Sequence, residues 1–352
     1  MSGTTDIQKT KPRDSNIELL RIVAMLLVMI VHTNFFSTGV PSHAELVAEP
    51  IKTTFRFLVQ SVAIVCVNLF ILISGWYGIR ARVSRFLEFV FQILFFSVIL
   101  YVVFYFIKPH NWPLAKGLGS AVRILVDSWF VTSYTLLYLL SPIFNAYVER
   151  APERQFRWLL IVFFAFQFVL GWWSGFVAWF DRGYSALSFF GLYLLARYVR
   201  LHSERLKKLR GRFDIAIWLL TVAIITALAV IGLYFTGKTD LLIYHYNSPL
   251  VIAASLFLFL AFNRLKFRNQ TVNWVAASCF AAFLLHMNLP FMQEVFHPTI
   301  LIAYRSYPYP MFLLTASTFV FAVFTLAVLA DKTRIAVWKL ILRIARHPDG
   351  KK

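Results

Sequence analysis

This sequence predicts an all-α fold: a polytopic integral membrane protein of about ten transmembrane helices with both termini cytoplasmic. Three observations carry that expectation. First, 59% of the 352 residues are hydrophobic and only 14% are charged, with a mean hydropathy of +0.69, whereas about a quarter of a soluble domain is charged. Second, apolar runs of roughly 17 to 25 residues, the length that crosses a bilayer as a helix, recur along the whole chain. Third, if the amino terminus is cytoplasmic, 27 of the 35 Lys and Arg residues fall on segments facing the cytoplasm, the excess that the positive-inside rule describes. That asymmetry accounts for most of the net charge of +19, so no nucleic-acid partner is needed to explain it.

The apolar runs give spans at approximately 17–37, 57–79, 86–107, 127–147, 158–177, 184–199, 214–235, 248–263, 273–292 and 311–330. Residues 1–16 are then an amino-terminal cytoplasmic tail, 17–330 one transmembrane domain, and 331–352 a basic cytoplasmic carboxy-terminal tail. The segments between spans are too short for a separate soluble domain.

The first span holds Arg21 and His32, eleven positions apart. At about 100° per residue, eleven steps nearly close three turns and put both side chains on one helix face, roughly 16 Å apart. Arg21 would lie near the membrane surface and His32 within the bilayer. Ionisable groups inside a span are costly, so such a pair marks a functional site facing the protein interior. Ser15 and Glu18 have the spacing of a capping box that would start this helix. A cleavable signal peptide is the competing reading of the same run, because Ser42-His43-Ala44 loosely resembles a cleavage site.

The second span ends in Asn68-Leu69-Phe70-Ile71-Leu72-Ile73-Ser74-Gly75-Trp76 and leads into Arg80, Arg82 and Arg85. Gly75 allows close backbone approach. Arg82 and Arg85 would share a helix face and form a guanidinium fork suited to phosphate, although arginines flanking a span on its inner side equally satisfy the topology rule. At the start of the third span Glu88, three residues on, is expected to pair with Arg85. Asn68, Glu88, Gln92, Asp127, Ser133 and Asn145 would be expensive in lipid and are expected to face the bundle. The basic stretch 197–212 reads as an inner loop that fixes orientation, with attraction for anionic head groups as the alternative. In the ninth span His286 is expected at a depth comparable with His32, followed by Asn288 and a kink at Pro290. Cys66 and Cys279 read as packing residues, and neither a metal-ligand spacing nor a disulfide framework is present.

Arg21, ten intervening residues and His32, then Phe70 to Trp76, then Arg82-Val83-Ser84-Arg85 together resemble the membrane-bound acyltransferase-3 family. Trp129-Phe130-Val131-Thr132-Ser133-Tyr134-Thr135-Leu136-Leu137-Tyr138-Leu139-Leu140-Ser141-Pro142 resembles the fourth-span signature of that family, and Phe283-Leu284-Leu285-His286 its element near the end. The likeness runs from about residue 15 to 330. It implies a bacterial inner-membrane, multi-pass enzyme that moves an acyl group, usually acetyl from acetyl-CoA, to a hydroxyl of a cell-envelope polysaccharide or its precursor. Acetyl-CoA or another acyl-CoA is then a donor substrate, with no permanently bound cofactor. Many members carry Glu where this chain has Tyr134, which makes a carboxylate role there doubtful.

Under that resemblance Arg82, Arg85 and Arg21, with Ser74 and Gly75, would hold the nucleotide end of acyl-CoA at the inner surface. His32, assisted by Arg21, would act as general base on the acceptor hydroxyl or as a transient acyl carrier. His286, Trp129 and Tyr134 would contact the acceptor, while His286 equally serves as a hydrogen-bonding group between helices. Trp172, Trp173 and Trp179 read as interface anchors, with sugar stacking as the alternative. The remaining reading from a different class is a transporter or flippase for a glycan or small anion, with Arg21, His32 and His286 lining its path. The expected partners are therefore membrane lipids, acyl-CoA and a glycan acceptor, with the oligomeric state open.

Overall fold

The computed structural model describes residues 14–113, 119, 125–174, 177–202, 204 and 211–346, and every regular element among them is helical. The first half of the chain forms α1 (Ser15–Val31), α2 (His43–Ala48), α3 (Pro50–Ala63), α4 (Cys66–Tyr77), α5 (Val83–Ile107), α6 (Trp129–Arg150), α7 (Glu153–Phe166) and α8 (Ala186–His202). The second half forms α9 (Gly211–Thr236), α10 (Pro249–Arg264), α11 (Gln270–Ala276), α12 (Phe280–His286), α13 (His297–Ser306) and α14 (Tyr309–Arg346). Among the described residues seven helices are long and apolar enough to cross a membrane, or eight if the bent pair Gln270–His286 and Leu289–Ser306 counts as one span. Helices also occupy the other expected spans. α8 has only 17 residues, and α6 buries Ser133 and Ser141 on its inward face, which dilutes its apolar character.

The core forms where apolar faces meet on both sides of α1 and α4. α4 packs against α8, α1 and α10, and α1 packs against α11 and α12. Gly75 makes the α4–α8 contact possible: a Cβ there would sit 2.5 Å from the Tyr193 carbonyl oxygen. At the end where α1 begins, Tyr77 reaches Asp14 (3.1 Å) and Asn16 donates to the Phe262 carbonyl (3.0 Å). This is the end that carries Arg80, Arg82, Arg85, Arg197 and Arg200.

Several local expectations resolve differently. The first helix is not started by a Ser15–Glu18 capping box: its N-cap is Asp14, without a side-chain bond. Ser15 bonds instead to Asn273 (2.9 Å), and the Glu18 carboxylate is taken by Arg21 at 2.9 Å, a charge-assisted contact that outcompetes a backbone amide. A complete capping box does form at Ser42 and Glu45, where it opens α2. Glu88 does not pair with Arg85. It meets Arg334 of α14 at 3.2 Å, and Arg334 also holds the fully buried Asp331 (2.9 Å), to which Gln92 donates (2.9 Å). Because these charges neutralise one another, α14 runs unbroken past residue 330, and the stretch assigned to a tail begins as buried helix. The ninth span is not one helix: it turns by 67° between His286 and Leu289, with Pro290 in the first turn of the next segment. Pro290 has no amide hydrogen for the His286 carbonyl and its ring would clash with that carbonyl, so the helix ends at His286 and restarts at Leu289.

At the opposite end Arg56 is 2% exposed. It donates to Thr38 Oγ1 (2.8 Å) and the Gly39 carbonyl, pairs with Glu45 at 3.2 Å and lies over the Tyr304 ring. One guanidinium thereby ties the 37–49 connection to α3 and α13. Partial burial alone would raise the Glu45 pKa. Hydrogen bonds from the Ser42 amide and hydroxyl, then the charges of Arg56 and Lys52, hold it below its ordinary value.

Two outcomes follow from these contacts. Gly75→Ala should cost about 1–3 kcal/mol through overpacking against Tyr193, read as a lower melting temperature in detergent. For Glu45, a lowered native pKa means that its stabilisation is complete above the usual carboxylate range and is lost as pH falls through the native value. Glu45→Gln should therefore melt below wild type near pH 7, with the gap closing as pH falls below the usual carboxylate range.

Candidate active site

α1 brings His32 to the middle of the bundle, and a π-helical segment, His32–Phe36, starts at that residue. α12 ends at His286, just before the 67° bend. Departures from regular α-helix concentrate at functional sites, and here two of them flank one pair of rings. His32 Nδ1 lies 2.9 Å from His286 Nε2, with ring centroids 5.1 Å apart. His286 is completely buried, and its Nδ1 is 2.5 Å from the Ala282 carbonyl oxygen. Phe283 and Phe296 pack against its ring.

The proton positions follow from this chain of contacts. A carbonyl oxygen only accepts, so His286 Nδ1 carries a hydrogen and donates it to Ala282. In the neutral ring Nε2 of His286 is then an acceptor, and the hydrogen between the rings belongs to His32 Nδ1. That leaves the lone pair of neutral His32 on Nε2, which receives no hydrogen bond from any described residue. Phe36 meets the His32 ring edge-on.

His32 lines a cavity of about 50 Å³. α1 contributes Met25, Val28 and Val31, α4 contributes Val67 and Phe70, α6 contributes Trp129 and Phe130, and α12 contributes Phe280 and Phe283, with Tyr246 closing one side. α5 does not line this cavity; α6 and α12 complete it beside α1 and α4. Trp129 stacks on Tyr246 (5.9 Å between centroids) and meets Tyr184 at 4.5 Å, so it forms a wall of aromatic rings.

A second cavity of about 170 Å³ lies toward the basic end, lined by Phe86, Phe89, Tyr134, Thr135 and Tyr138. The rings between the two cavities touch: Phe89 stacks on Phe280 at 5.6 Å and Tyr134 on Phe130 at 6.0 Å. The Tyr134 hydroxyl lies 3.3 Å from Ser74 Oγ. Tyr138 receives the Arg82 amide (2.9 Å) and donates to the Arg82 carbonyl (3.0 Å), which ties the Arg82 backbone to the wall of this second cavity. The side chains of Arg82 and Arg85 are exposed at the start of α5. Arg21 continues the stripe of Met25, Val28 and His32 by one turn toward the same end, ion-paired with Glu18. Gly75 is occupied by its contact with α8.

The expected inward polar residues divide. Asn68, Gln92 and Ser133 are buried, Asn145 bonds to Tyr193 (2.7 Å) and the Ile79 carbonyl, and Asp127 is exposed. The basic stretch read as an inner loop begins instead as helix: Arg197 and Arg200 belong to α8, where Arg200 donates to the Trp76 carbonyl and Arg197 lies beside Gly78. Arg205, Lys207, Lys208 and Arg210 of the same stretch lie outside the described residues. Among the described residues no three His, Cys, Asp or Glu side chains gather as a metal site requires.

An imidazole with a free lone pair inside a helical bundle, beside aromatic-lined cavities, has the chemistry to take part in proton transfer. A family model described as an acyltransferase domain matches residues 14–330, and the chain belongs to that acyltransferase-3 family; it is a multi-pass membrane acyltransferase. Nothing matches among the curated proteins or among the solved structures.

Because Tyr134 is a ring in a wall, Tyr134→Phe should keep at least about half of the acyl-transfer rate, a loss below 1 kcal/mol in barrier height. The check is initial rate with saturating acyl-CoA.

Proposed function

We propose that this protein is an O-acyltransferase, most simply an O-acetyltransferase, of the bacterial inner membrane. It moves an acyl group from cytoplasmic acyl-CoA to a hydroxyl of a cell-envelope polysaccharide or its lipid-linked precursor. The observation that carries the reading is the alignment of Arg82 at one cavity, the aromatic partition, and His32 at the next. Phosphates of the donor meet Arg82 and Arg85, with Arg21 and Arg200 close to the same surface; guanidinium groups bind such anions through paired, charge-assisted bonds. The pantetheine arm is long and narrow enough to thread between Phe89, Tyr134 and Phe280 once these rings rotate.

At the upper cavity the acceptor hydroxyl gives its proton to His32 Nε2 while its oxygen attacks the thioester carbonyl carbon. The C–O bond forms, the C–S bond breaks, and the imidazolium returns the proton to the departing thiolate. Neutral ring, O-acyl glycan and free CoA thiol remain. Trp129 and Tyr246, which stack on one another in the cavity wall, present an aromatic face to a sugar ring.

With acetyl-CoA as donor, His32→Ala should lower transfer by about 10²–10⁴-fold and leave the Km for acetyl-CoA nearly unchanged. Arg82→Ala should raise that Km several-fold with maximal rate retained. Wild-type rates in the His32 variant would refute the assignment of the base. In cells, deletion of the gene should remove about 42 Da per modified unit, an acetyl group, from a surface polysaccharide by mass spectrometry.

A further inference from the structure

We infer that His286 is a positioning residue: through its Nε2 it accepts the Nδ1 hydrogen of His32, a residue lining the cavity, and so fixes His32 in the tautomer that carries its lone pair on Nε2. The inference rests on the reading of His32 as general base and goes beyond it by assigning the group that makes His32 a base in the right orientation.

The geometry leaves little freedom. His286 is held from both sides, its Nδ1 by the Ala282 carbonyl one turn back in α12 and its ring by Phe283 and Phe296. With its own hydrogen committed to Ala282, neutral His286 offers only an acceptor to His32, at 2.9 Å. A free imidazole has two tautomers of similar energy, and only one of them leaves Nε2 able to take a proton. The bond from His286 selects that one.

The partner's neutrality also has a physical reason. A carboxylate in this role would add a full buried charge in an apolar bundle, at a large desolvation cost. Neutral His286 gives the same directional bond without it. When His32 takes up a proton at Nε2, both its nitrogens are donors, and the bond to His286 becomes charge-assisted and stronger. The Nδ1 hydrogen stays on His32 throughout, so no proton leaves the pair except the one received from the acceptor.

The test uses full-length protein in bilayers with histidine ring nitrogens labelled with nitrogen-15, and His32→Ala to identify the His32 signals. Solid-state NMR should show His32 as the Nδ1–H tautomer in wild type and in His286→Gln, whose side-chain carbonyl can still accept. In His286→Phe, which keeps a ring but no acceptor, His32 should shift toward Nε2–H. In membranes supplied with radiolabelled acetyl-CoA, His286→Phe should transfer label to endogenous acceptors about 10–100-fold more slowly at unchanged Km for acetyl-CoA, and His286→Gln should recover most of the loss. If His286→Phe fails to fold, His286→Leu replaces it in both measurements. His32 found as Nε2–H in wild type, or equal transfer by the Phe or Leu variant and wild type, overturns the assignment, as does failure of a folded Gln variant to exceed the Phe variant. Absence of transfer by wild type would refute the proposed activity instead, while the NMR result would still decide the role of His286.

Discussion

Inside a bilayer an imidazole must find its hydrogen-bond partners within the protein, and this chain meets that demand by joining His32 to His286 across 254 residues of sequence. The pairing constrains much else. It requires α1 and α12 to meet at one depth, and α1 does pack along both α11 and α12. It requires the ring of His286 to face inward at a helix end, which the break before Leu289 provides. The aromatic side chains around the pair leave a small cavity that His32 lines.

Charge is handled by the same logic at both ends of the bundle. Asp331 and Arg334 are nearly inaccessible yet bonded to each other and to Gln92, and Asp214 of α9 is paired with Arg264 of α10. Arg56 anchors the other end through two neutral acceptors, one carboxylate and one ring. Breaking any of these by removing one partner would leave an uncompensated buried charge, which costs more than the pair contributes. They hold the helices that carry the site without entering it.

Much of the architecture was legible because a bilayer imposes simple rules. Hydropathy and the distribution of Arg and Lys were enough to place helices, and an eleven-residue spacing was enough to align Arg21 with His32 along one face. Both histidines stood out individually as titratable groups in apolar runs. Their contact did not, since nothing local records which residues meet across 254 positions. Local rules failed where a tertiary partner outbid them. Glu18 had the spacing of a capping residue but lay within reach of Arg21, and Glu88 went to Arg334 on a distant helix; the kink expected at Pro290 is present, as a break just ahead of the ring.

The stacked rings of Phe89, Tyr134, Phe130 and Phe280 have a bearing on the energetics of the cell as well as on the enzyme. A continuous column of water through a membrane conducts protons, and an energised membrane cannot tolerate such a short circuit. Where these four side chains meet, packed rings rather than water separate the two chambers, so the bundle closes that path to protons.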